Sequence, residues 1–163
     1  MLTCCFTGSR PQNLPWCDDS DPRCQSLLSK LEAEIKKAIE RGYLRFMSGM
    51  AIGIDTYAAR IVLRLRDEYP TLDIMLEAVI PCPNQDKLWS EIQKKEYARL
   101  LEKCDKRTFS SNYYSKYCFQ KRNEYMVERS SLVIAVTDGR NGGTMNTIKY
   151  ARSKNKKIII LEP

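Results

Sequence analysis

Residues 44–55 read LRFMSGMAIGID, an apolar run that passes through two glycines into a helical pattern. Leu44–Met47 has the length and composition of a buried strand. After Gly53, apolar side chains recur at the spacing of one helix face: Ile54, Ala58, Ile61, Val62 and Leu65. A strand, a tight turn and a helix in that order form the repeating unit of parallel α/β sheets. This stretch therefore predicts an α/β fold.

The same alternation continues along the 163 residues. Further strands are predicted near Leu2–Phe6, Ile74–Ile80, Arg107–Phe109, Leu132–Val136 and Ile158–Leu161. Helical patterns separate them over Leu27–Ile39, Asp86–Lys103 and Tyr113–Ser130. The apolar residues of the second pattern are Leu88, Ile92, Leu100 and Leu101. Neither a repeat nor a linker interrupts the pattern. We therefore predict one domain over residues 1–163, with a Rossmann-like α/β fold: an open, mostly parallel sheet with helices on both faces.

The composition excludes several kinds of chemistry. The chain has no histidine, which removes Ser-His-Asp and Cys-His catalysis and histidine metal sites. Its seven cysteines are odd in number and form no C-x-x-C pair, which argues against disulfides and zinc and fits a reducing cytoplasm. No apolar run approaches the ~20 residues that span a bilayer. We therefore expect a cytoplasmic protein without a cofactor, a metal or a membrane partner.

The net charge of +7 is unevenly distributed. After Asp138, six basic residues face the single acid Glu162: Arg140, Lys149, Arg152, Lys154, Lys156 and Lys157. Such a segment attracts phosphates and polyanions. A solvated helix face followed by a lysine-rich turn is the simpler explanation, and a nucleic-acid surface is the alternative.

Three glycine clusters follow predicted strands: Thr7-Gly8-Ser9-Arg10-Pro11, the stretch Ser48–Asp55, and Asp138-Gly139-Arg140-Asn141-Gly142-Gly143-Thr144. In an open parallel sheet the carboxyl ends of the strands meet at one edge, where ligands bind. The second and third clusters precede helices, whose free N–H groups attract phosphate. One glycine alone can simply close a turn, but three clusters at one edge predict a pocket. Neither G-x-G-x-x-G nor the Walker pattern is present.

Two charged residues near these clusters have more than one interpretation. Asp55 can stabilise the dipole of its helix or bind a ribose hydroxyl. Arg122 can clamp a phosphate, or it can pair with Glu124, Glu128 or Asp105. Their positions in the sequence do not separate these roles.

Taken in order, the motifs resemble the SLOG superfamily and, within it, a YpsA/YoqJ-like group of uncharacterised bacterial and phage proteins. The resemblance spans nearly the whole chain. It rests on the three glycine clusters, on Ile80-Pro81-Cys82 with Trp89, and on Arg122-Asn123-Glu124-Tyr125-Met126. It implies a Rossmann-like fold that binds or senses a nucleotide or nucleotide-derived ligand. Relatives in this superfamily often form dimers.

Two better-known groups of the superfamily suggest alternatives. LOG phosphoribohydrolases carry an Arg-Lys-x-x-Met helix, which Arg122 and Met126 resemble, and a catalytic glutamate after their glycine loop. Here Asn146 and Thr147 occupy the acid positions. A hydrolase would have to take its acid from another residue: Glu124, Glu128, Asp55 or Asp138.

The second group, the DNA-processing protein DprA, binds single-stranded DNA. Its signature is similar to Ser48–Asp55, but that family carries a histidine two or three residues further on. This chain has Tyr57, Ala58 and Ala59 there. The departure makes DNA binding the alternative and a small-molecule ligand the leading hypothesis.

The sequence therefore predicts ligand binding, with weak catalysis or none, as the main function. The expected partners are a nucleotide-derived small molecule, a second copy of the chain in a homodimer, and nucleic acid bound weakly. No catalytic or metal-binding residue is assigned. The candidate ligand-binding residues are Thr7, Gly8, Ser9, Arg10, Ser48, Gly49, Met50, Gly53, Asp55, Arg122, Asn123, Asp138, Gly142, Gly143, Thr144 and Asn146.

Overall fold

A computed structural model describes residues 2–163, so the predicted domain, 1–163, includes one residue, Met1, that lies outside the described residues. In this range six strands form one sheet, and all neighbouring strands are parallel. The strands are β1 (Leu2–Gly8), β2 (Tyr43–Ser48), β3 (Met75–Ile80), β4 (Lys106–Phe109), β5 (Leu132–Val136) and β6 (Lys157–Leu161). The helices are α1 (Pro22–Glu40), α2 (Ile54–Glu68), α3 (Glu91–Lys103), α4 (Cys118–Glu128) and α5 (Gly143–Ser153). The predicted Rossmann-like α/β fold is confirmed, with a sheet that is parallel throughout.

The strand order is β4-β3-β2-β1-β5-β6. The chain moves outward from β1 to β4 and then crosses back to place β5 on the other side of β1. A reversal of this kind leaves a crevice between the carboxyl ends of the two strands where it occurs. Those ends are Gly8 and Val136, which are paired in the β1–β5 ladder.

Side chains of the central strands alternate between two apolar cores on opposite faces of the sheet. Phe6 and Phe46, whose rings stack with centroids 6.0 Å apart, belong to the core that includes residues of α1, α2 and α3. Cys5 and Met47 belong to the core that includes residues of α4 and α5. Because both faces are covered, inner strands need apolar residues at successive positions, which explains their continuous apolar runs.

The helix predicted from Asp86 begins later. Turns replace its first residues, and α3 starts at Glu91 after a capping box in which Ser90 and Gln93 each bond the other's backbone N–H. Leu88 and Ile92, expected on its apolar face, are 92% and 82% exposed. The prediction was wrong here because it counted apolar residues and overlooked the cap.

The helix predicted over Tyr113–Ser130 is also shorter. α4 covers only Cys118–Glu128, and the preceding residues 110–117 form an exposed loop. Among residues 2–163, no helix combines the length and apolar character needed to cross a bilayer.

Candidate functional site

A cleft of about 400 Å³ opens at the crevice between β1 and β5. One wall comes from residues 7–10 at the end of β1, and the opposite wall from Thr137, Asp138 and the start of α5. Side chains of α4, including Phe119 and Arg122, close a third side. The cleft thus lies at the carboxyl edge of the sheet, where the strand order reverses.

The structure brings twelve of the sixteen candidate residues together around this cleft. They are Thr7, Gly8, Ser9, Arg10, Asp55, Arg122, Asn123, Asp138, Gly142, Gly143, Thr144 and Asn146. The other four lie outside the lining: Ser48 at the end of β2, and Gly49, Met50 and Gly53 in the segment between β2 and α2.

Seven further residues line the cleft that were not among the sixteen candidates: Asn13, Lys116, Phe119, Gln120, Thr137, Arg140 and Asn141. Phe119 lies one helical turn before Arg122, so helical spacing on α4 would have found it. Arg140 and Asn141 belong to the third glycine cluster, whereas no sequence pattern marks Asn13 or Gln120.

Position 49 requires glycine because the side chains of Arg122 and Asp55 lie against its backbone. A Cβ added there would lie 2.5 Å from Cζ of Arg122 and 2.8 Å from Oδ2 of Asp55. The carbonyl oxygen of Gly49 accepts a hydrogen bond of 2.6 Å from Nη1 of Arg122. The space beside this glycine is therefore filled by two charged side chains of the chain itself.

Asp55 is a buried acid at the start of α2. Its carboxylate accepts a hydrogen bond from the backbone N–H of Ala51 (3.3 Å), and the hydroxyl of Ser48 donates to its carbonyl oxygen (2.8 Å). Burial raises the pKa of Asp55, while the positive charges of Arg122 and Arg10 act in the opposite direction. Asp55 therefore supplies negative charge behind the cleft, close to two guanidinium groups.

Arg122 is only 2% exposed, yet it is held mainly by uncharged groups. Its Nη1 donates to Gly49 and its Nε donates to Oδ1 of Asn123 at 2.8 Å. Within residues 2–163, Nη2 forms no hydrogen bond. Burial lowers the pKa of Arg122, and Asp55 opposes this effect.

None of the three acids that the sequence suggested as partners for Arg122 holds it. Asp105 pairs with Arg66 at 3.0 Å, and Glu128 accepts from the hydroxyl of Tyr150 at 2.6 Å. Glu124 accepts from Gln120 at 3.2 Å. Each of these acids contacts another side chain. Arg122 therefore interacts with Gly49 and Asn123 through hydrogen bonds and with Asp55 through its charge.

The ring of Phe119 lies near both arginines of the cleft. The guanidinium carbons of Arg10 and Arg122 lie 5.4 Å and 5.9 Å from its centroid, within the range of cation–π contacts. Arg10 forms neither an ion pair nor a side-chain hydrogen bond with any other residue in the described range. Its charge also lowers the pKa of Arg122, so the two groups repel each other across the cleft.

The N-terminus of α5 is open on the cleft side. Gly142 precedes it with φ 156° and ψ −166°, a conformation that glycine adopts readily, and among the described residues no side chain caps the helix. A Cβ added at Gly142 or Gly143 would meet no atom of the described chain within 4 Å. The first-turn N–H groups and the positive end of the helix dipole are therefore available to an anion.

The acids in and near the cleft are few. Asp138 pairs with Arg140 at 2.8 Å and accepts from the Arg140 N–H, which holds the pKa of Asp138 below its usual value. Glu124 and Glu128 are not part of the lining. Thr147 is buried and donates to the carbonyl oxygen of Gly143 at 2.8 Å.

Known proteins resemble this chain over most of its length. The family model described as the YspA SLOG family matches residues 4–161. The SPbeta prophage-derived protein YoqJ of Bacillus subtilis is 34% identical over 145 residues, covering 81% of this chain and 84% of YoqJ. A UPF0398 protein of Oceanobacillus iheyensis is 25% identical over 134 residues, covering 81% and 71%.

Among solved structures, two DNA processing proteins A (DprA) share the fold. The Streptococcus pneumoniae protein superposes with a TM-score of 0.64 at 18% identity, covering 98% of this chain and 50% of that one. The Helicobacter pylori protein, described for its single-stranded DNA binding mode, gives 0.62 at 17% identity, covering 98% and 64%. This chain thus spans half to two thirds of their lengths. The resemblance inferred from the motifs is confirmed, and this chain belongs to the YspA SLOG family.

Proposed function

We propose that the cleft binds a nucleotide or a nucleotide-derived small molecule through its phosphate. The observation that carries the proposal is the convergence of three donor groups on one cavity: the uncapped start of α5, Arg10 and Arg122. Helix N-termini and guanidinium groups both bind phosphate, and guanidinium groups do so with charge-assisted hydrogen bonds.

The charges and size of the cleft support this ligand class. Four basic and two acidic side chains line it, and one acid, Asp138, is already paired with Arg140. Arg10, Arg122 and Lys116 then face the single buried acid Asp55. A volume of about 400 Å³ suits a small molecule rather than a protein segment. Amide side chains at the lining can bond a sugar or base: Asn13, Gln120, Asn123, Asn141 and Asn146.

The proposed ligand is bound and not cleaved. Asn146 and Thr147 offer no carboxylate, and Asp138 is neutralised by Arg140. N-glycosidic cleavage needs acid–base help or charge stabilisation from a placed group. Purified protein incubated with AMP should release no adenine at an enzymatic rate. Robust release that disappears in Arg122→Ala would contradict binding alone.

The test is a thermal-shift screen with mono- and dinucleotides, cyclic nucleotides and ADP-ribose derivatives. A ligand at about one hundred times its Kd stabilises the folded state by ~2.7 kcal/mol, which raises Tm by several degrees. Arg10→Ala should retain the unliganded Tm and lose most of this shift. Arg152→Ala, an exposed position near the end of α5, is the matched control and should keep the shift. The proposal fails if no compound raises Tm, or if both variants respond equally.

Single-stranded DNA binding is a second candidate, favoured by the exposed loop of residues 110–117, which we call the tyrosine loop. Tyr113, Tyr114 and Tyr117 are 75%, 71% and 66% exposed, and Lys116 between them lines the cleft. Exposed aromatic rings beside a basic groove are the usual platform for stacking unpaired bases. The DNA binding described for the H. pylori DprA agrees with this candidate.

Fluorescence anisotropy with a labelled oligothymidine separates the two candidates. Binding through the tyrosine loop should be weak, should decrease steeply as salt increases, and should decrease further in the double variant Tyr113→Ala/Tyr114→Ala. Tyr69→Ala is the control, because Tyr69 is 42% exposed at the end of α2. Absence of binding at low salt, or binding that the double variant leaves unchanged, would eliminate this candidate.

The cysteines support a reducing location. All seven are free thiols, and five of them are buried. Burial raises the pKa of Cys5 to about 12 and of Cys104 to about 11, which keeps both protonated and unreactive. We propose a cytoplasmic protein on this basis.

A further inference from the structure

The strand β6 forms one edge of the sheet and differs from the strand at the other edge. β6 reads KIIIL, and Ile160 within it is 44% exposed. β4, at the opposite edge, is shorter and reads KRTF, with two charged residues. Natural proteins protect edge strands with charges, proline or shortness, because an apolar edge invites another strand. β4 has such protection and the centre of β6 does not.

Within residues 2–163, one side of the β6 backbone has no hydrogen-bonded neighbouring strand. The N–H of Lys157 donates to Ser131 (3.3 Å), and the carbonyl of Leu161 accepts from Thr137 (3.0 Å). Alternate residues of a parallel strand turn both backbone groups toward the same neighbour. Lys157, Ile159 and Leu161 therefore face β5, and the N–H and C=O groups of Ile158 and Ile160 point away from the sheet.

Among symmetric antiparallel registers, one pairs the free groups of Ile158 with those of Ile160. A twofold axis normal to the sheet and centred on Ile159 places Ile158 opposite Ile160 of the partner subunit in an antiparallel arrangement. Both residues then have their free backbone groups facing each other. Their side chains share the face of the sheet that carries α4 and α5, where Ile158 already packs. The exposed Ile160 would be covered in the same step.

The ends of this register are complementary in charge. Two residues beyond Ile158 and Ile160, Lys156 comes opposite Glu162 of the partner subunit, and the symmetry repeats this contact at the other end. The register follows from the backbone groups alone, so the charge match is an independent observation. Lys156 is half-buried and Glu162 is exposed.

We propose that two copies of this chain form a homodimer by antiparallel pairing of their β6 strands around Ile159. The two six-stranded sheets then become one continuous sheet. The interface lies one strand away from the β1–β5 cleft, so this proposal does not depend on the ligand.

Sedimentation velocity of the full chain tests the pairing. The monomer mass is 18.9 kDa, and the wild type should sediment as a species of twice that mass. Ile160→Lys places like charges at the centre of the pairing and should give a monomer with an unchanged circular dichroism spectrum. Ile92→Lys, at an 82% exposed position on α3, is the matched control and should remain dimeric. A monomeric wild type, or a dimeric Ile160→Lys variant, would overturn the proposal.

Charge reversal tests the register itself. Glu162→Lys should raise the dissociation constant of the dimer by roughly tenfold, because the two pairs of Lys156 with residue 162 become repulsive. The double variant Lys156→Glu/Glu162→Lys restores opposite charges and should recover most of the affinity. If the double variant dimerises no better than Glu162→Lys, the strands do not pair in this register.

Discussion

Two glycine loops, residues 49–53 and 138–143, have the same arrangement in the sequence and opposite surroundings in the structure. Each follows a strand and leads into a helix whose N-terminus lacks a side-chain cap among the described residues. In the first loop, Gly49 lies against Arg122 and Asp55. In the second, the described chain leaves the space around Gly142 and Gly143 free to 4 Å.

The two loops differ in which groups lie close to the backbone of their glycines. At Gly49 the approaching group is the guanidinium of Arg122, bound to the glycine's own carbonyl oxygen. At Gly142 and Gly143 no described residue supplies such a group, and both glycines line the cleft. Glycine in such a loop therefore indicates close approach, and the identity of the approaching group depends on tertiary contacts.

The largest effect is expected for Gly49→Ala. Its Cβ would overlap the buried guanidinium of Arg122, which cannot move without losing its bond to the carbonyl oxygen of residue 49. We expect a loss of ~3 kcal/mol in the free energy of unfolding, or about 10 °C in Tm. Urea denaturation and thermal melting measure both quantities.

Gly143→Ala is the matched substitution in the open loop. Its Cβ meets no atom of residues 2–163, and alanine suits the first turn of α5. The free energy of unfolding should change by less than ~1 kcal/mol. Equal losses in the two alanine variants would mean that the loops do not differ as described.

A smaller effect, on binding, is expected for Gly143→Val. The residue is helical, and the unusual backbone angle belongs to Gly142, so a valine adds bulk without backbone strain. The added side chain would obstruct a phosphate at the start of α5 and should lower its affinity at least tenfold, ~1.4 kcal/mol. Paired calorimetry and melting with a compound found in the thermal-shift screen provide the measurement. Unchanged affinity in a folded variant would place the phosphate elsewhere.

The smallest effect concerns the charge of Asp55 and appears as a pH dependence. Burial raises the pKa of this carboxyl in the folded state. Its stabilising contribution is therefore complete below the unfolded pKa and is lost as pH rises through the folded pKa. Relative to Asp55→Asn, the wild type should lose stability as pH increases from about 4 toward neutrality. A relative stability that increases over this interval would show that attraction to Arg122 outweighs burial.

Much of the fold could be predicted because the strands are buried on both faces. Leu132–Val136 was predicted with its observed boundaries, since five buried apolar residues leave little ambiguity. The start of α3 was predicted too early, because the apolar residues Leu88 and Ile92 were counted as part of a buried helix face and are exposed in the structure. Exposed apolar residues cannot be told from core residues by their spacing.

The site was predictable only to the level of which strand ends meet. The positions of the glycines, together with the geometry of a parallel sheet, predicted that residues 7–10 and 138–144 lie at the same edge. The contacts of Arg122 were not predictable, because its acceptor, Gly49, is 73 positions away in the sequence. The acids considered as its partners were mostly near in sequence, and each has another partner in the structure.

Because β1 lies between β2 and β5 in the sheet, the strands of this protein pair in a fixed order during translation. β1 can pair with β2 once the chain has emerged from the ribosome as far as Ser48, since only α1 and its flanking turns separate the two strands. Its other neighbour, β5, is translated some 130 residues after β1. Until β5 emerges, the side of β1 that pairs with it has no neighbouring strand. The wall of the cleft formed by Thr137, Asp138 and the start of α5 is also missing. If the cleft binds the proposed ligand, a nascent chain cannot do so before the start of α5 has emerged, and the ligand can stabilise only a chain that already extends past Gly143.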